Sequence, residues 1–142
     1  MIIPDVNLLL YAHDEGSPAH ATASRWWLDL AERSIPVRLP WAVAMGFVRI
    51  ATNPKIQRVP LPPSEALDLV DDWLRLDHVR MLDPGPRHLL IVRQLLEAAG
   101  VAASLTSDAH LAALAIEHQC ELHSNDADFT RFPGLRWFNP LA

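Results

Sequence analysis

The chain opens on a short apolar run that ends in an aspartate and passes at once into a second apolar run: Ile2-Ile3-Pro4-Asp5-Val6-Asn7, then Leu8-Leu9-Leu10-Tyr11. The first run reads as a buried strand and the second as a helix, which leaves Asp5 at the strand's C-terminal end. In open α/β sheets, ligands and reacting groups collect at that edge. Two later stretches have the same form, Leu105-Thr106-Ser107-Asp108 and Leu122-His123-Ser124-Asn125-Asp126. In each, an apolar residue leads through small polar residues to an aspartate, and a helical pattern resumes. Three such junctions on one sheet would place three carboxylates on a single rim, an acidic pocket suited to a metal ion.

The remaining pattern supplies that sheet. Short strands are expected at Ile2 to Asp5, Ile35 to Leu39, Val79 to Leu82, Glu121 to His123 and Leu135 to Phe138. Helices are expected from Asn7 to Ala12, from Ser17-Pro18 to about Arg33, from Trp41 to Thr52, from a Ser64 cap to near Leu76, from Arg87 to Ala99 and from Thr106 to His118. Asp126 to Phe129 reads as a helical turn, and Val101 to Leu105 as a connection or weak strand. Pro18, Pro40 and Gly100 fall where helices start or stop, and Lys55 to Pro63 is a proline-rich linker. Strands alternating with helices predict an α/β fold, a short, mainly parallel sheet of about five strands covered on both faces. The 142 residues suit one domain spanning 1–142, large enough to need no disulfide staple.

The single cysteine, Cys120, has no partner for an internal disulfide, which fits a reducing compartment. With no membrane-length apolar run and no basic leader, a cytoplasmic location is expected. The net charge of −5 excludes a protein that grips nucleic acid through bulk positive charge. A polyanionic substrate would have to be held by local arginines or by bound metal.

Mg²⁺ and Mn²⁺ take carboxylate oxygens and retain waters. They make water nucleophilic and offset charge on a phosphoryl oxygen. Asp5, Asp108 and Asp126 are the right residues for such an ion. Each also has a plainer use, because aspartate at a strand-to-helix junction is an ordinary N-cap. Spacing alone leaves both roles open.

Four segments together carry a resemblance: Asp5-Val6-Asn7, Phe47-Val48-Arg49-Ile50-Ala51-Thr52-Asn53-Pro54, Asp108-Ala109-His110-Leu111-Ala112-Ala113-Leu114-Ala115 and Ser124-Asn125-Asp126-Ala127-Asp128-Phe129. In this order, along the whole chain, they resemble PIN domains, and more narrowly the VapC-type toxins of bacterial toxin–antitoxin pairs. The resemblance implies a three-layer α/β/α sandwich and a Mg²⁺- or Mn²⁺-dependent endoribonuclease that cuts cellular RNA and is blocked by a cognate VapB-type antitoxin. It implies that Asp5, Asp108 and Asp126 are the catalytic, metal-binding carboxylates, that Asn7 and Ser124 orient them, and that Asp128 is an auxiliary acid. Residues two apart on a helical turn point about 200° apart, so Asp126 and Asp128 are not expected to share one ion. The chain departs from the family at Gly46, where a glutamate is usual, and no acid occurs from Trp41 to Thr52.

That departure keeps a second reading open, a catalytically weakened PIN-fold module that binds RNA or antitoxin. A phosphatase with an aspartyl nucleophile is a third, disfavoured because Asn7 stands where a second acid is wanted and Lys55 is the only lysine. Half the residues are apolar, and a homodimer is expected. The tryptophans read mainly as core, with Trp26 or Trp27 the candidates for a partner surface. No histidine pair shows zinc-ligand spacing. His110 and His118, eight apart, could share a helix face but read rather as core or surface histidines, and Arg49 is a candidate phosphate contact or a surface, carboxylate-pairing arginine.

Overall fold

A computed structural model describes residues 1–142. Its strands are β1 (Ile2–Pro4), β2 (Val37–Pro40), β3 (Val79–Leu82), β4 (Glu121–His123) and β5 (Trp137–Phe138). Its helices are α1 (Val6–His13), α2 (His20–Glu32), α3 (Trp41–Ala51), α4 (Pro63–Leu74), α5 (His88–Ala99) and α6 (Leu105–Glu117), with a 3₁₀ turn at Ala127–Arg131. The strands lie in the order β3-β2-β1-β4-β5, every neighbouring pair parallel. All five expected strands are present.

Parallel strands need crossovers, and right-handed crossovers decide the layers. The chain moves outward from β1 through β2 to β3, which places α1 to α4 on one face. It then returns to β4 beside β1, which places α5 and α6 on the other. Contacts follow this division: α1 packs on α2 and α3, α3 on α4, and α5 on α6. The three-layer arrangement expected from the sequence is therefore the one observed. The strand order reverses between β1 and β4, and their C-terminal ends flank the crevice where ligands settle in such sheets.

β1 is buried at every position, as a central parallel strand covered on both faces must be. A 33-residue apolar cluster fills the layers above and below it, with Phe47, Phe129, Ile3, Leu8, Leu9 and Leu39 among its largest fully buried members. Pro4 has no N–H for the ladder and closes the strand. The next residue restores the pairing, because the Asp5 N–H donates to the His123 carbonyl at 2.9 Å. Trp26 and Trp27 both belong to the core, while Trp41 is half exposed. No helix is long and apolar enough to cross a membrane.

Several helix starts differ from the sequence reading, α1 and α5 by a single residue. Ser17-Pro18 forms a turn, with the His20 N–H bonded to the Ser17 carbonyl, and α2 begins only at His20. The helix expected to be capped by Ser64 has Pro62 at its cap position instead and begins at Pro63. Proline suits the first helical position because its missing N–H would go unpaired there anyway. Helix α6 begins at Leu105 and no strand precedes it, so Asp108 lies in its first turn and not at a strand-to-helix junction.

Candidate metal centre

Asp5 is the N-cap of α1, with extended backbone (φ −82°, ψ 158°) and one carboxylate oxygen accepting from the Val6 N–H at 2.7 Å. The capping role weighed against a metal-binding one is thus real, but it uses only one oxygen. Oδ2 accepts from the Ser124 hydroxyl at 2.6 Å and, more weakly, from the Asn7 amide at 3.4 Å. Ser124 is fully buried just past β4, and its oxygen also accepts from the Asp126 N–H at 3.0 Å. One hydroxyl thereby ties the end of β1 to the end of β4. Asn7 strengthens the tie: its amide N–H₂ approaches Ser124 Oγ at 3.3 Å, and its carbonyl oxygen accepts from the Asn125 N–H at 3.4 Å.

Asp126 caps the 3₁₀ turn, accepting from the Asp128 N–H at 2.8 Å. Its backbone is extended (φ −92°, ψ 113°), so the helical angle between positions two apart does not apply to it. Carboxylate oxygens of Asp108, Asp126 and Asp128 all lie within 4.8 Å of one another. Asp128, expected to point away, instead joins the acidic group, because the cap residue has not yet entered the helical turn.

Electrostatics register the crowding. Burial is the main cause that raises the Asp5 carboxyl above its ordinary value; Asp126 adds to the rise, and the Ser124 and Val6 hydrogen bonds oppose it. Asp108 is pushed up to about 6, first by burial and then by the charges of Asp126, Asp5 and Asp128. Like charges sharing a low-dielectric site disfavour joint ionisation.

A cleft of about 360 Å³ opens between α3 and the start of α6, lined by Asp5, Val6, Gly46, Arg49, Asp108 and His110 among others. The α3 wall offers one cation, Arg49, and no acid. A Cβ at Gly46 would lie 3.0 Å from Val6 Cγ2, so Val6 occupies the room nearest the missing side chain. His110 and His118, eight apart along α6 and its C-cap, meet different partners. In the structure His110 meets His88 of α5, and His118 meets the Asp83 carbonyl. Burial lowers both His88 and His110 below the usual histidine range. His88 carried no local signal, since its partner lies on another helix.

All the ligands on offer are hard carboxylate oxygens, with no thiolate and no histidine among the converging atoms. That donor set fits Mg²⁺ or Mn²⁺ and would not select zinc or copper.

A family model described as PIN domain matches residues 2–135. Across 141 residues, 99% of both chains, the sequence is 45% identical to Ribonuclease VapC33 of Mycobacterium tuberculosis. It is 39% identical to Ribonuclease VapC37 of the same species over 142 residues, covering 100% of this chain and 99% of that one. Among solved structures, VapBC2 from Rickettsia felis bound to a DNA fragment from its promoter aligns with a TM-score of 0.69 at 19% identity, covering 98% of each chain.

Proposed function

The chain belongs to the PIN-domain family, and on that premise we propose that residues 1–142 act as a single metal-dependent endoribonuclease domain that cuts cellular RNA and is neutralised by a cognate VapB-type antitoxin. The observation that carries the reading is the convergence of Asp108, Asp126 and Asp128, of which Asp108 lines a cleft together with Asp5 and Arg49. Full-length identity to relatives named as ribonucleases supports the chemistry, and likeness to a toxin–antitoxin complex supports the fold in which such a partner is met.

Asp108 and Asp126 would hold the ion, Mg²⁺ or Mn²⁺, together with Asp128, whose carboxylate converges on theirs, and Asp5, which lies outside that group of oxygens and lines the adjoining cleft. When bound, the ion supplies an acidified water and compensates charge on the phosphate. The chain's own contribution is positional. Ser124 and Val6 fix both oxygens of Asp5, so that carboxylate needs no reorganisation when it takes up a ligand. Asn7 braces the same junction from the α1 side. The ionised form of Asp108, whose carboxyl stands at about 6 without a cation, would be favoured with one bound, so occupancy would weaken as pH falls toward that value. Arg49 offers the opposite wall a bidentate phosphate contact.

Purified protein incubated with RNA and Mn²⁺ should cut it, and EDTA should stop the cutting. Asp5→Asn, Asp108→Asn and Asp126→Asn should each abolish cleavage without altering the circular dichroism spectrum. Cleavage in EDTA, or full activity in any of the three folded variants, would defeat the assignment. The bare α3 wall at Gly46 favours the alternative of a binding module. That alternative would be identified by RNA that is retained by the wild-type protein and never cut.

A further inference from the structure

His88 Nε2 and His110 Nδ1 are 2.8 Å apart, and the rings meet edge to face at 4.7 Å. The remaining nitrogen of His88, Nδ1, is buried and has no hydrogen-bond partner. These facts together decide between two tautomer arrangements. If His110 Nδ1–H donated to His88, the proton of neutral His88 would sit on Nδ1, burying an N–H with no acceptor. If His88 Nε2–H donates to His110, the buried Nδ1 carries only a lone pair. An unpaired buried donor is the rarer feature in proteins, whereas an under-used acceptor is tolerated more often. The second arrangement therefore holds. It makes His110 Nδ1 an acceptor and puts the His110 proton on Nε2.

The turn before α5 is built to keep His88 in place. Glu117, at the end of α6, accepts from the Gly85 and Arg87 N–H groups, each at 2.8 Å. A Cβ at Gly85 would sit 2.5 Å from the Glu117 carboxylate, so a larger residue there would push that side-chain tip away from the turn. His110 and Glu117 are seven apart, two helical turns, and so face α5 together. Glu117 anchors the turn, the turn delivers His88, and His88 orients the ring of His110. His110 in turn lines the same cleft as Asp5, Asp108 and Arg49.

We propose that His110 is a substrate-contacting residue, presenting a fixed Nε2–H donor to a phosphate oxygen of the RNA strand in the acidic cleft, with His88 as the positioning residue that selects its tautomer. The proposal rests on the ribonuclease reading above for the identity of the strand. The chemistry suits the place. The cleft is lined by the carboxylates of Asp5 and Asp108, which repel phosphate, and an imidazole offering its lone pair would repel it too. A neutral donor whose proton is held on Nε2 attracts a phosphate oxygen without adding a titrating charge beside the carboxylates.

Two measurements on the whole chain test this. Long-range ¹⁵N–¹H spectra of the imidazoles, recorded without metal or RNA, should show Nε2–H tautomers for both His88 and His110. A His110 proton on Nδ1 overturns the proposal. In steady-state RNA cleavage with Mn²⁺, His110→Ala should raise KM about tenfold while kcat stays within about threefold, as expected for a charge-assisted hydrogen bond to substrate. His110→Gln, which keeps a side-chain N–H, should recover most of the loss. His88→Ala should raise KM as well, and His88→Gln, able to donate to His110 Nδ1, should restore it. An unchanged KM in folded His110→Ala overturns the contact and leaves the ribonuclease reading intact. A wild-type protein that cuts no RNA overturns the ribonuclease reading instead. The contact is then judged by whether inorganic phosphate moves the His110 Nε2–H resonance, and no movement overturns it.

Discussion

Asp108→Asn should stabilise the metal-free protein and destabilise the metal-saturated one relative to wild type. Every influence on the Asp108 carboxyl raises it, from an ordinary 3.8 to about 6, and no hydrogen bond opposes the rise. A raised folded-state value means that the protonated form favours the fold. This contribution is fully present below about pH 3.8 and is lost as pH climbs through about 6. A shift of about two units corresponds to about 3 kcal/mol at full strength, and solvent screening of a partly exposed carboxylate reduces it to about 1–2 kcal/mol. Asparagine removes the charge at every pH. In EDTA at pH 7.5 the variant should therefore unfold at higher urea and melt about 4–8 °C higher, at about 4 °C per kcal/mol for a chain this long. The advantage should vanish near pH 4, where wild type is protonated as well. With Mn²⁺ the order should invert. Wild type gains about 2.7 kcal/mol when the ion is at a hundred times its dissociation constant, and a variant lacking one ligand gains less. Paired melts in EDTA and in Mn²⁺, at pH 7.5 and pH 4.5, measure all of this. A variant less stable than wild type in EDTA at pH 7.5 would refute the crowding argument, and an undiminished Mn²⁺ shift would refute the ligand role.

Other consequences follow from the same geometry. Ser124→Ala removes the fully buried hydroxyl shared by Asp5 and the Asp126 N–H; it should cost about 1–3 kcal/mol in urea unfolding and raise the Asp5 carboxyl further, which NMR titration reads directly. Gly46→Glu restores an acid to the α3 wall but crowds Val6 Cγ2, so it should be made with Val6→Ala. The pair should show a larger Mn²⁺-induced melting shift than Val6→Ala alone, and an equal or smaller shift would mean that the new side chain does not reach the acids. Trp41, Leu89 and Leu90 are exposed on α3 and α5, and light scattering at micromolar concentration should give the mass of a homodimer; a monomer would contradict this.

The strands were legible because each is a short apolar run between polar turns, and β1 is buried along its whole length. Asp5 and Asp126 could be placed because a strand's exit is local information. Asp108 was expected at a strand's exit and lies instead in the first turn of a helix, since the segment before it is a loop and α6 starts at Leu105. Asp128 was misjudged by treating Asp126 as helical, when a cap residue keeps extended backbone and its neighbour's carboxylate can swing alongside. The Ser124 link between strand ends joins residues 119 positions apart, and the His88–His110 pair joins two helices. Neither leaves a periodic trace in sequence. The resemblance to PIN domains pointed to Ser124, and nothing pointed to His88.

The claim at the centre is that the aspartates at the C-terminal ends of β1 and β4 and at the start of α6 form one cation site. Anomalous diffraction at the manganese edge, from crystals of the wild-type chain equilibrated with Mn²⁺, tests it most directly. A peak within ligand distance of the Asp108 and Asp126 carboxylates, facing Asp5 and Asp128 and absent from Asp126→Asn crystals, is the expected result. Crystals with no peak there at saturating Mn²⁺, or with manganese bound only elsewhere on the surface, would contradict the metal site and the chemistry built on it.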